Sequence, residues 1–304
     1  MLKLAISERS EAFRASLRDW LVQNQPPPAP RETSLEEFER VGRAWQGQLA
    51  SGRWIGTHWP EVFGGRGLTL VEEAIVQEEL VRVSAPQILG LFGLTMVGPV
   101  LISHGSDAQR TRFLPRILSG QEIWCQGFSE PGAGSDLAAV RARAVPVDGG
   151  YRLSGQKIWT SFAHIADWCF VLCRTAESPK KHEGLSYVLV DMKSKGITTR
   201  PLRQASGDRE FNEVFFDDVF VPSDNLVGNP GDGWKIAIST LMFERVVLTF
   251  SRQLQSEVAL NGLLREHGEL VSGSDAVELA QAITSACATR ALRSEEHTSE
   301  LQSH

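Results

Sequence analysis

The sequence predicts an α+β multidomain chain: an N-terminal helical domain, a middle β domain with a mostly antiparallel sheet, and the start of a C-terminal helical bundle. Three observations predict it. Apolar residues recur at helical spacing up to Gly120, the period shortens to strand length beyond it, and helical spacing returns from Gly233. The turns between the strands leave no room for crossover helices, which argues for antiparallel pairing. The expected units are residues 1–121, 122–231 and 232–292.

Taken in order, Phe13, Leu17, Trp20 and Leu21 share one helical face, and Pro26, Pro27, Pro28 and Pro30 end that helix. Ser34 with Glu37 reads as a capping box before a helix over 35–50, which Gly52 closes. Residues 55–70, IGTHWPEVFGGRGLTL, read as a glycine-rich loop. Helices are expected over 71–83, 88–103 and 108–118, the last capped by Ser106 or Asp107 and stopped by Gly120. Strands are expected over 123–128, 140–147, 151–154, 168–174, 185–191, 197–202 and 213–221, with Asp148-Gly149-Gly150 as a hairpin turn. Trp234, Ile238, Leu241 and Leu248 form the apolar stripe of a late helix.

With 304 residues, 42% hydrophobic and 22% charged, the composition is that of an ordinary globular protein. A net charge of −6 and a pI near 5.7 argue against nucleic acid as partner, since phosphate binding needs clustered Lys and Arg. Cys125, Cys169, Cys173 and Cys287 have no metal-ligand spacing, and His58, His104 and His164 are scattered; the cysteines read as reduced core residues and no metal is expected. No basic and apolar leader precedes the first helix, and the longest apolar stretch, 88–102, is broken by glycines. A cytoplasmic protein without a membrane span is the expectation. The final RSEEHTSELQSH, residues 293–304, reads like a translated sequencing adapter, so a non-native tail and a reading frame cut near Leu292 are expected.

The chemistry concentrates between Cys125 and Ser161. Glu130-Pro131-Gly132-Ala133-Gly134-Ser135-Asp136 is a small-residue turn whose backbone N–H groups can approach an anion, and Trp159-Thr160-Ser161 sets an indole beside two hydroxyls. A dinucleotide fingerprint would need a helix at the glycines, and strands follow instead. Alone, such a turn is more often ordinary chain reversal, and a lone Trp more often core. Together they suit a flat, hydrogen-bonding, anionic cofactor. Glu244-Arg245 sits among Met242, Phe243, Val246, Val247 and Leu248, so a buried carboxylate with a raised pKa, able to abstract a proton, is expected there rather than a solvated pair.

Four blocks carry a resemblance: FSEPGAGSDLA (128–138), GQKIWTS (155–161), FNEVFFDDVFVPSDNLVG (211–228) and GDGWKIAISTLMFERV (231–246). With HWPEVFGGRG before them, the chain resembles the flavin-dependent acyl-CoA dehydrogenases from about Phe13 to Leu292. The resemblance implies FAD, with Phe128 and Ser129 on the pyrimidine side of the ring, Gly134 and Ser135 near the pyrophosphate and the acyl-CoA entrance, Trp159 against the ring, and Ser161 donating to N5. It further implies loss of an α-proton from an acyl-CoA thioester to Glu244, β-hydride transfer to flavin N5, and Arg245 supporting the substrate site. An electron-transfer flavoprotein as acceptor and a homo- or heterotetramer follow from the same likeness. The family's Arg-x-x-Phe-Gly motif is missing after Arg245, where Leu264-Arg265-Glu266-His267-Gly268 stands, a pattern similar to the actinobacterial branch acting on steroid side chains and other bulky acyl groups. A flavin oxidase or monooxygenase of the same fold, or a non-catalytic partner subunit, are the alternatives.

Overall fold

The computed structural model describes residues 7–28, 34–267 and 273–301. Helices come first: α1 (Glu8–Gln23), α2 (Leu35–Ser51), α3 (Leu70–Arg82), α4 (Gly98–His104) and α5 (Asp107–Ser119). Strands β1 (Trp124–Gly127), β2 (Arg143–Val147), β3 (Gly150–Lys157), β4 (Trp168–Arg174), β5 (Leu185–Asp191), β6 (Ile197–Pro201), β7 (Asn212–Pro222) and β8 (Leu226–Val227) follow, and then α6 (Gly233–His267) and α7 (Ser274–Leu301). This is the expected order of helices, sheet and helices. The backbone of the polar tail continues α7 as far as Leu301. No helix among the described residues is long and apolar enough to cross a membrane.

The strands form one sheet in the order β6-β7-β3-β2-β4-β5-β8, with β1 pairing β4. Pairing is antiparallel except for β1 with β4 and the single contact of β2 with β4. Successive side chains of a strand point to opposite faces, and β4 and β5 show the consequence. Phe170 and Leu172 with Leu185, Tyr187 and Leu189 join a core shared with Trp59, Leu101, Phe113 and Ile117 of the helical region and with Ile236 and Ala237 of α6. The alternate residues Cys169, Val171, Cys173, Val188 and Val190 pack on the other face with Leu153, Val214 and Phe216. Both faces of the central strands are therefore covered.

Local chemistry sets the helix ends. Ser34 accepts from the Glu37 N–H, but the full reciprocal capping boxes are Thr69 with Glu72 and Ser106 with Gln109. The expected helix over 88–103 contains a π-helical turn, Gly93–Val97. There the Gly98 N–H reaches the Gly93 carbonyl, which leaves the Leu94 carbonyl to accept from the Trp59 indole at 3.2 Å.

The expected α6 stripe is corrected at Ile238, and the side chain of its last member, Leu248, lies outside the described residues. Trp234 and Leu241 pack on the core, but Ile238 is 42% exposed, and the side buried against the sheet is Gly233, Ile236, Ala237 and Thr240. Gly233 is required there because the helix lies close to β5: a Cβ on it would stand 2.5 Å from the Ser186 backbone.

Candidate functional site

β1 delivers the chain to the site. Its last residue, Gly127, lies against β4, where a Cβ would stand 2.9 Å from Cys169 Sγ. Phe128 follows with its ring inside, edge-on to Phe170 and Tyr187 at 5.8 and 6.0 Å. Only the Phe128 backbone is left for a ligand. Ser129 is half-buried, and Glu130 and Ala133 then exchange backbone hydrogen bonds of 2.9 and 3.0 Å, closing the Pro131-Gly132 turn.

That turn is anchored from below by a buried ion pair. Glu130 accepts from the Arg141 and Ala142 N–H groups at 2.7 and 2.9 Å and from Lys157 Nζ at 2.8 Å. Lys157 is wholly buried, and Nζ also donates to the Phe128 and Leu172 carbonyls at 2.9 and 2.8 Å, so its three protons are all used. Burial pulls the Lys157 ammonium below its ordinary value, and Glu130 opposes that pull. Above the turn, Lys181 of the β4–β5 loop meets Asp136 at 2.8 Å.

The second half of the site is a bulge at the end of β3. Lys157 pairs with Val214, but the next exchange of backbone bonds is between Thr160 and Asn212, 3.1 Å each way. Two residues, Ile158 and Trp159, thus stand opposite one, Glu213. The Ile158 N–H turns to the Ser129 carbonyl at 2.9 Å, which ties the two halves together. Trp159 takes the left-handed conformation, φ 60°, and is 60% exposed, with its ring edge-on to Phe211. A bulky side chain in that region is a strained arrangement that the surroundings must hold.

The sequence-predicted residues fall out as follows. Phe128, Ser129, Trp159 and Ser161 are joined through the Ile158–Ser129 bond, and Gly134 and Ser135 lie exposed on the adjoining turn. Of the hydroxyl pair after Trp159, that of Thr160 is buried and Ser161 is half-buried. Glu244 and Arg245 lie on the backbone of α6, and their side chains are outside the described residues, as is that of Cys287. Lys157, Glu130, Asn212 and His164 complete the support; the sequence placed Glu130 at the head of the turn and gave the other three no role. Lys157 stands between Gln156 and Ile158, and neither its spacing nor that of Asn212 marks a buried residue.

The arrangement fits a flat anionic cofactor. Among the described residues the hydroxyls of Ser129, Ser135 and Ser161 have no hydrogen-bond partner, so three donors are unspent. A Cβ built on Gly132 or Gly134 meets nothing within 4 Å, so the turn's backbone faces open space. An exposed indole beside such donors can cover an aromatic ring system.

Two family models match the chain: the acyl-CoA dehydrogenase N-terminal domain over residues 7–121 and the acyl-CoA dehydrogenase middle domain over residues 125–219. The fold and these matches define an oxidoreductase of helical, β and helical build. The acyl-CoA dehydrogenase IpdE1 of Mycobacterium tuberculosis is 45% identical over 262 residues, 84% of this chain and 68% of that protein. A solved steroid ACAD, Tcur3481-Tcur3483, superposes with a TM-score of 0.81 at 28% identity, covering 98% of this chain and 77% of that one. The ChsE4-ChsE5 complex from Mycobacterium tuberculosis gives 0.82 at 27% identity, covering 98% and 78%. The chain belongs to the acyl-CoA dehydrogenase family.

Proposed function

We propose that this protein is an FAD-dependent dehydrogenase that introduces an α,β double bond into a bulky, ring-bearing acyl-CoA thioester. The observation that carries the reading is the Ile158–Ser129 backbone bond, which joins the segment of the unspent Ser129 hydroxyl to that of the exposed, left-handed Trp159 and of Ser161. When bound, FAD supplies the acceptor for the hydrogen lost from the substrate β-carbon.

The chain's own groups do the rest. The Phe128 backbone and the Ser129 hydroxyl hold the pyrimidine edge of the ring, Trp159 covers it and keeps water away, and Ser161 donates to the ring nitrogen N5. The turn N–H groups at Gly134 and the Ser135 hydroxyl serve the pyrophosphate and the thioester's CoA entrance, where oriented donors meet negative charge at little reorganisation cost. Glu244 on α6 takes the α-proton, and Arg245 supports the thioester beside it. A bulky acyl group is supported by the steroid ACAD among the solved relatives, and a two-chain assembly by the two-component names of that relative and of the ChsE4-ChsE5 complex. An electron-transfer flavoprotein as acceptor and a cytoplasmic site of action complete the reading.

The test is Glu244→Gln in the full-length protein. Flavin should stay bound while turnover falls by roughly 10²- to 10⁴-fold, the contribution of a positioned base. Unchanged turnover with flavin retained removes Glu244 from the role.

A further inference from the structure

Asn212 opens β7 and is wholly buried, and each of its polar atoms has a partner in the Trp159 bulge or in the segments beside it. Its backbone N–H and C=O exchange bonds with Thr160 at 3.1 Å. Its Nδ2 donates to the Thr160 carbonyl and to the Glu210 carbonyl, 2.9 Å each. Both acceptors are carbonyls, so this atom has to be the amide nitrogen and the other has to be Oδ1. Oδ1 lies 3.1 Å from His164 Nδ1, which must therefore carry its proton and donate. The Glu210 carbonyl also accepts from the Phe162 N–H at 2.9 Å. Phe162, like Trp159, has positive φ, at 58°.

The loop 159–162 thus contains two aromatic residues in a conformation that L side chains avoid, and the polar groups that hold it converge on one carboxamide. Bulged residues recur next to active sites because the extra residue re-aims a side chain. Without the bond from Nδ2, the Thr160 carbonyl keeps one donor, the Asn212 N–H, and the strain at Trp159 is free to relax into the ordinary ladder. That would swing the indole off the side occupied by Ser129 and Ser161.

We propose that Asn212, oriented by the Nδ1–H of His164, is a positioning residue: it locks the bulge so that Trp159 and Ser161 are presented together for the flavin. This rests on the flavin reading above. The proposal concerns the readiness of the site before any ligand arrives, which lowers the ordering cost of binding.

The experiment compares Asn212→Ala, His164→Leu and His164→Asn with wild type in the full-length protein. Two readouts are taken: amide hydrogen exchange of residues 158–164 without flavin, and FAD affinity by titration. Asn212→Ala and His164→Leu should speed the exchange and raise the FAD Kd about tenfold, as expected for the loss of a buried hydrogen bond. His164→Asn keeps an N–H near the position of Nδ1 and should restore most of the affinity. His164 lies at the rim, so it carries the test if Asn212→Ala does not fold. Faster exchange with an unchanged Kd would make Asn212 merely structural and overturn the proposal. If wild type binds no FAD, the flavin reading itself falls.

Discussion

Lys157 is an ammonium with no exposed surface, held by Glu130 Oε1 and two carbonyls. Removing one partner of a buried ion pair costs more than the pair contributes, because the other charge stays buried and uncompensated. Lys157→Met should therefore lower unfolding stability by about 3–5 kcal/mol in chemical denaturation, and a change below about 1 kcal/mol would contradict this account, since that is the scale of an exposed pair. The same substitution takes one donor from the Phe128 carbonyl, so the start of the Ser129 turn should loosen with it. The motif GQKIWTS points to Trp159 and Ser161 by residue type, but nothing in it shows that Trp159 is left-handed. That depends on Asn212 and His164, which are brought together from different segments by the β3–β7 pairing. A long-range clamp of this kind has no signature in spacing.

Among the elements, α1 is fastened to α3 by Ser10 with Glu72, by Arg14 with Glu78, and by the Glu79 carboxylate. Glu79 meets Arg14 at 2.8 Å, Arg18 at 2.8 Å and Arg82 at 2.7 Å. Burial pushes its carboxyl up, but the hydrogen bonds from Arg18 and Arg14 outweigh this and hold it below its ordinary value of 4.5. A carboxyl lowered in the folded state stabilises the fold above its unfolded-state value and ceases to do so as pH falls through the folded value. The thermal midpoint should thus fall on acidification below about pH 4.5, and Glu79→Gln should flatten that fall; an unchanged slope in the variant would assign the acid sensitivity elsewhere. At α6, Gly233→Ala should cost about 1–3 kcal/mol, because the new methyl meets the β5 backbone and not a side chain that can turn away. Equal stability of this variant would show that α6 can shift outward. The exposed Ile238 belongs to the same lesson: apolar periodicity marks where α6 is greasy, whereas the close approach selects Gly233. Element types and order were legible because period 2 and period 3.6 differ clearly. The π turn at Gly93–Val97 was not, since it exists to serve the Trp59 indole.

For the whole molecule, one core runs from Trp45 and Trp59 through Phe113, Trp124 and Phe170 to Ile236. Arg43 of α2 reinforces it, donating to the Gly120 and Gln121 carbonyls and to Asp167, which also accepts from Lys193 and from the Ile123 N–H at the start of the sheet. The strand that leads into Phe128 and Ser129 is therefore set against the helical region before it reaches the site, and the β3 bulge is tied to Ser129 by the Ile158–Ser129 bond. The most direct measurement of the central claim is an anaerobic titration of the flavin-loaded full-length protein with a panel of acyl-CoA esters, followed by visible absorbance. Bleaching of the flavin band by ring-bearing acyl-CoA esters, ahead of short straight chains, is the predicted result. A protein that binds no flavin, or a bound flavin that no acyl-CoA bleaches, would contradict it.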